Sequence, residues 1–165
     1  MKEVNFSELS QKNKDLLLAA EKAMQKAFNP GSGFIVGAAL STPDGQVFTG
    51  ANIKISSTGM VACAEVVAFM EAHMHTVDGK REFDAIAVIA RHGNRELDDP
   101  NYPCGRCSQI IHEFSALGGR EIEMIYSNTA KTRIAVGPVS DFLPTPFVSG
   151  IFRDARERDN QKTPQ

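Results

Sequence analysis

The sequence predicts an α/β fold: a three-layer α/β/α sandwich whose central mixed sheet has about five strands. Three observations carry this expectation. Apolar residues recur at helical spacing in residues 7–28, in about 62–75 and again after Pro103. Short apolar runs, several of them β-branched, lie between these segments. The order is therefore α-β-β-α-β-α-β with a weaker element after it, which places helices on both faces of a sheet.

In residues 7–28, Ser7 is the candidate N-cap, and Leu9, Leu16, Leu17, Ala20, Met24 and Ala27 fall roughly on one stripe. Asn29-Pro30-Gly31 ends this helix. Phe34–Leu40 and Gln46–Ala51 flank Thr42-Pro43-Asp44-Gly45, where proline fixes φ and glycine permits a positive φ, so the two runs read as a β-hairpin. The second helix runs from about Ala62 to His75, with Val66, Val67, Phe69 and Met70 as apolar bulk, and Asp78-Gly79 breaks it. Phe83–Ala90 is a continuous apolar run that suits a strand covered on both faces. The polar loop Arg91–Tyr102 is long for a compact domain, as functional loops often are; Arg91, His92 and Arg95 within it read as solvated loop residues, with the mouth of a pocket as the alternative, and His73, His75 and His112 read as surface residues. A third helix starts near Pro103, buries Ile110, Ile111, Phe114 and Leu117, and stops at Gly118-Gly119. Glu121–Tyr126 and Arg133–Val136 read as strands, and Phe142-Leu143-Pro144 as a short helical turn. Residues 1–150 are expected to form one domain, and the charged stretch 151–165 a mobile tail.

Composition narrows the function classes. With 42% hydrophobic and 23% charged residues among 165, the chain is an ordinary globular protein. A net charge of −2 leaves no electrostatic footprint for nucleic acid or an anionic membrane. No apolar run approaches the ~20 residues that span a bilayer, and the polar start MKEVNFSELSQKNK lacks the core of a signal peptide. The expected location is cytoplasmic, where thiols stay reduced. Three cysteines, an odd number, speak against a disulfide framework.

All three cysteines fall in two stretches, ACAEVVAF at 62–69 and NYPCGRCSQ at 101–109. Cys104 and Cys107 are i, i+3 and face the same way at the start of a helix; Pro103 suits that boundary. Cys63 begins the preceding helix, so two helix N-termini would present three sulfurs to one ion. One Zn²⁺ per chain is the natural occupant. Three protein ligands leave one position open, as in a catalytic rather than a structural zinc site. Glu65, two residues after Cys63, is placed to handle protons of a metal-bound water without ligating the metal. Three thiolates around Zn²⁺ leave a net charge of −1; the helix N-termini and Arg106, between two ligands, would offset it. Arg106 is read as a partner of a thiolate, with a substrate contact as the alternative. A redox CxxC pair and a structural zinc with an unrecognised fourth ligand are the plainer readings. Zinc deaminases carry the same set of parts: cysteine ligands, a non-ligand glutamate, and P-C-x-x-C.

On these residues the sequence resembles the cytidine deaminase family, in its small three-cysteine branch that includes blasticidin S deaminase. The resemblance runs from about Ser32 to Phe147. It includes Gly33–Leu40, Phe48-Thr49-Gly50-Ala51-Asn52, Cys63-Ala64-Glu65, Phe83–Val88, Pro103–Gln109 and Phe142–Phe147. It implies water attack at C4 of a cytosine ring, with Glu65 protonating N3 and then the departing amine. It further implies that Phe34 walls the pocket, that the backbone near Cys63, Ala64 and Pro103 holds the ring, and that Asn52 bonds sugar hydroxyls. A homotetramer is implied as well, with Phe147 reaching into a neighbour's site.

The chain departs from that pattern in three places. Where the family carries N-x-E, this sequence has Asn52-Ile53-Lys54, so a cation that only donates replaces an acceptor. Either Lys54 turns outward, or it turns inward and favours a substrate with an anionic group, such as the carboxylate of blasticidin S or a nucleotide phosphate. Thr58 stands where an aromatic is expected, and Val66 where many relatives have arginine. Deamination of a free cytosine nucleoside is the leading expectation, an antibiotic-nucleoside deaminase the next. A polynucleotide editor is disfavoured by the charge balance, and a non-catalytic zinc-stabilised binding module by Glu65.

Overall fold

The computed structural model describes residues 1–57, 59, 61–75 and 82–148. Thr58, the predicted break at Asp78-Gly79 and the tail at 151–165 lie outside the described residues. The six strands are β1 (Lys2–Val4), β2 (Phe34–Ser41), β3 (Val47–Ala51), β4 (Ala85–His92), β5 (Glu123–Ser127) and β6 (Ile134–Pro138). They form one mixed sheet in the order β1-β6-β5-β4-β2-β3. Only β4 and β5 pair in parallel, and the other neighbours are antiparallel. The helices are α1 (Gln11–Met24), α2 (Ala64–His75), α3 (Gly105–Gly118) and the short α4 (Val139–Phe142). Among the described residues no helix is long and apolar enough to cross a membrane.

The three layers follow from the period of β4. Ala85, Ala87 and Ile89 join the core with Leu16, Leu17, Ala20 and Met24 of α1. Ile86, Val88 and Ala90 join the other core, with Ala64, Ala68, Phe69 and Ala72 of α2 and Ile111 of α3. Alternate residues of one strand thus serve opposite faces, which is why the run reads as continuously apolar. In the second core Phe69 of α2 stacks on Phe114 of α3, with centroids 4.5 Å apart. Phe83 meets both rings edge-on, at 5.2 and 5.6 Å.

Several predicted boundaries shift. Ser7 is not the cap of the first long helix. It sits in a 3-10 turn (Phe6–Glu8) capped by Asn5, whose side chain and Glu8 form a reciprocal capping box. Ser10 caps α1 instead, accepting from the Asn13 amide. The predicted start of the strand at Phe83 moves to Ala85, and the strand runs on through Arg91 and His92, so the loop is shorter. The sheet has six strands rather than about five, because the polar start contributes β1. This three-residue edge strand is held through its backbone register with β6 and has no apolar pattern of its own.

The hairpin is built as its turn residues require: Thr42 and Gln46 close it, and Gly45 takes φ +88°. Beyond it α2 lies directly on β3. A Cβ at Gly50 would collide with the Ala64 carbonyl oxygen and the Ala68 amide. The carboxylate of Glu71 in α2 accepts a hydrogen bond from the Thr49 amide of β3. Gly50→Ala is expected to cost about 1–3 kcal/mol through overpacking, read from urea melts. Gly31→Ala, with open space around it, is expected to stay within about 0.5 kcal/mol.

Candidate active site

Both helices on this face start with a cysteine. The Cys63 carbonyl accepts from the Val67 amide at 3.1 Å, so Cys63 heads α2. Cys104 is the N-cap of α3, with extended ψ 160°, and its carbonyl accepts from the Ser108 amide at 3.0 Å. Neither Cys104 nor any other side chain at that N-cap position caps the helix amides, so the sulfur is left for another use. Cys107 lies in the first turn of α3 and is buried. The three sulfurs all lie within 4.8 Å of one another, with 3.5 Å between Cys104 and Cys107. Among the described residues no histidine or carboxylate joins this group. Three sulfurs in reach of one ion, at the positive ends of two helices, form a donor set that fits zinc and leaves a coordination position open.

The thiols are electrostatically unequal. A hydrogen bond from Cys107 pulls the Cys63 thiol down to about 6, against burial and the charge of Glu65. The same bond, burial and Glu65 push Cys107 far up. Arg106 is exposed; its charge favours the Cys63 thiolate, but it makes no hydrogen bond to a sulfur among the described residues.

Glu65, the second residue of α2, is 5% exposed. Burial pushes its carboxyl above the usual range, partly opposed by hydrogen bonds from Cys107 and Tyr126. It opens on a cavity of about 170 Å³, smaller than the ~300 Å³ at the low end for drug-sized ligands and suited to one small ring. Phe34, Asn52 and Lys54 line it from β2 and the segment after β3; Cys63 and Ala64 line it at the head of α2. Asn101, Tyr102 and Cys104 line it ahead of α3.

Most of the sequence-derived residues thus surround one space, and some do not. Lys54 faces the cavity and has no ion-pair partner among the described residues. Asn52 is buried with its amide committed to β2: Oδ1 accepts from the Val36 amide at 2.8 Å, and Nδ2 donates to the Phe34 carbonyl at 2.9 Å. One N–H and one lone pair remain for a ligand. Pro103 is half-buried beside Tyr102 but does not line the cavity. Phe147 is 70% exposed and away from it. Its backbone is held by Gln109, which accepts from the Phe147 amide at 2.9 Å and donates to its carbonyl at 2.8 Å. Asn101 and Tyr102, rather than Arg91, His92 or Arg95, are the loop residues at the cavity. Tyr126, whose hydroxyl donates to Glu65 at 3.4 Å, gave no local signal because it lies 61 residues away within an apolar strand.

Cys107→Ser is expected to lose most of the bound zinc in metal analysis of the purified protein. Arg106→Ala, which removes an exposed charge and, among the described residues, no hydrogen bond, is expected to weaken zinc by at most about fivefold in a chelator competition.

Residues 10–117 match the cytidine and deoxycytidylate deaminase zinc-binding region. A cytidine deaminase of Halalkalibacterium halodurans is 34% identical over 139 residues, 84% of this chain and 96% of that protein. A cytidine deaminase of Sporosarcina psychrophila is 42% identical over 99 residues, 60% of this chain and 67% of that protein. The crystal structure of cytidine deaminase from Burkholderia pseudomallei superposes with a TM-score of 0.71 at 35% identity, covering 84% of this chain and all of that one. The cysteines and the glutamate that the sequence singled out fall inside the matched region, and the chain belongs to the cytidine and deoxycytidylate deaminase zinc-binding family.

Proposed function

We propose that this protein hydrolyses the C4–amine bond of a cytosine nucleoside, cytidine or deoxycytidine, to give the uracil nucleoside and ammonia. The observation that carries this is the buried Glu65 carboxylate, opening on a ring-sized cavity beside three convergent sulfurs. Cys63, Cys104 and Cys107 would hold zinc, which would supply the Lewis acidity that activates a water at neutral pH. Glu65 takes a proton from that water and passes it to N3 as the oxygen joins C4. It then delivers the second proton to the amine, which leaves as ammonia. Its raised affinity for a proton, caused by burial, suits a group that must hold and release one in each turnover. Phe34 flanks the ring, the backbone around Ala64 holds its polar edge, and the free N–H of Asn52 meets the sugar. Arg106 and the two helix ends offset the charge of the thiolates.

Ammonia release from cytidine and deoxycytidine tests this. Glu65→Gln is expected to lower kcat by about 10²–10⁴ while zinc stays bound. A zinc-loaded protein that releases no ammonia from any cytosine nucleoside would sink the proposal.

Lys54 favours a second reading. A donor-only cation with no ion-pair partner at the cavity suits a substrate with an anionic group on its sugar-like part. Cytidine monophosphate or blasticidin S would then be turned over better than cytidine. Lys54→Glu is expected to reverse that preference by about tenfold, the factor that ~1.4 kcal/mol gives; an unchanged substrate profile removes the reading.

We further place the protein in the cytoplasm, in pyrimidine salvage, and as a homotetramer. The exposed ring of Phe147, whose backbone Gln109 holds outside its own cavity's lining, supports a contact with a neighbouring subunit's site.

A further inference from the structure

Tyr126 lies within β5, fully buried, among the largest side chains of the core. Its ring packs in the α2/α3 core, 5.7 Å from Phe142. A phenylalanine would satisfy that packing. The hydroxyl is what packing does not require, and a buried hydroxyl without a partner is costly. Its hydrogen-bond partner is Glu65, through Oε1 at 3.4 Å. The contact is long, as hydrogen bonds in catalytic sites often are before substrate binds.

The other side chain close enough to ease the Glu65 carboxyl's loss of a proton is the Cys107 thiol. A cysteine that ligates a metal does so as a thiolate and has no proton to give. In the zinc-loaded protein this leaves Tyr126 as the side-chain donor to Glu65 among the described residues. A glutamate has three torsions to fix, and proton transfer needs its carboxylate at one place. The first turn of α2 fixes the Glu65 backbone, but the carboxylate beyond it needs an anchor.

We infer that Tyr126 is a positioning residue: its hydroxyl holds one oxygen of the Glu65 carboxylate and leaves the other to face the substrate. The inference rests on the deaminase reading above and adds a residue to it, contributed from β5 on the far side of the core.

Tyr126→Phe removes one oxygen and keeps the packing. In the zinc-loaded enzyme kcat is expected to fall by about tenfold, as for loss of a hydrogen bond to a charged group. KM for cytidine, zinc content and Tm should stay close to wild type. An unchanged kcat, or a rise in KM alone, overturns the inference. Infrared difference spectra against Glu65→Gln isolate the Glu65 carboxyl band without any turnover. That band is expected to shift in Tyr126→Phe, and an unmoved band overturns the contact. If the wild type released no ammonia from cytosine nucleosides, the deaminase reading would fall, while the band would still decide whether Tyr126 holds Glu65.

Discussion

Two helices that begin 41 residues apart in the chain must start at nearly the same point in space, because a metal tolerates little error in its sulfurs. The Phe69–Phe114 stack, wedged by Phe83, sets the spacing of α2 and α3. Gly50 lets the first turn of α2 rest directly on β3. Neither feature touches a ligand, yet together they decide whether Cys63 meets Cys104 and Cys107. A packed interior is stiff, so aromatic packing near the middle of the helices fixes geometry at their ends.

How much of this could be read from the chain depended on distance along it. The convergence of the three sulfurs was legible because i, i+3 spacing and a helix start are local facts, and because the chain places all its thiols there. The hairpin was legible from four turn residues. The start of α1 was misplaced because Asn5, Ser7 and Ser10 compete as caps within six residues, and only the folded backbone shows which side chains find free amides. Strand β1 had no pattern to read, since three backbone-paired edge residues need no apolar face. Tyr126 was hidden for another reason: in an apolar strand a tyrosine looks like packing, and its hydroxyl acquires meaning only when α2 is laid over β5.

Asn52 shows how a matched motif can divide its work. Its amide bridges Val36 and Phe34 on β2, so most of its hydrogen-bonding capacity is spent holding the wall that carries Phe34. A residue singled out for a ligand therefore also shapes the cavity, and its loss would disturb packing and recognition together. Lys54, two residues on, lines the same cavity, and its side chain has no hydrogen bond or ion pair among the described residues.

The bond from the Thr49 amide to Glu71 has a consequence for association. β3 is the outer strand of the sheet on that side, and outer strands are templates for further strands. Here the outward donor at the middle of the strand is already taken by a carboxylate from the helix above. An incoming backbone would meet a negative charge where it needs an N–H. The contact thus disfavours continuation of the sheet by a further strand at the middle of this edge.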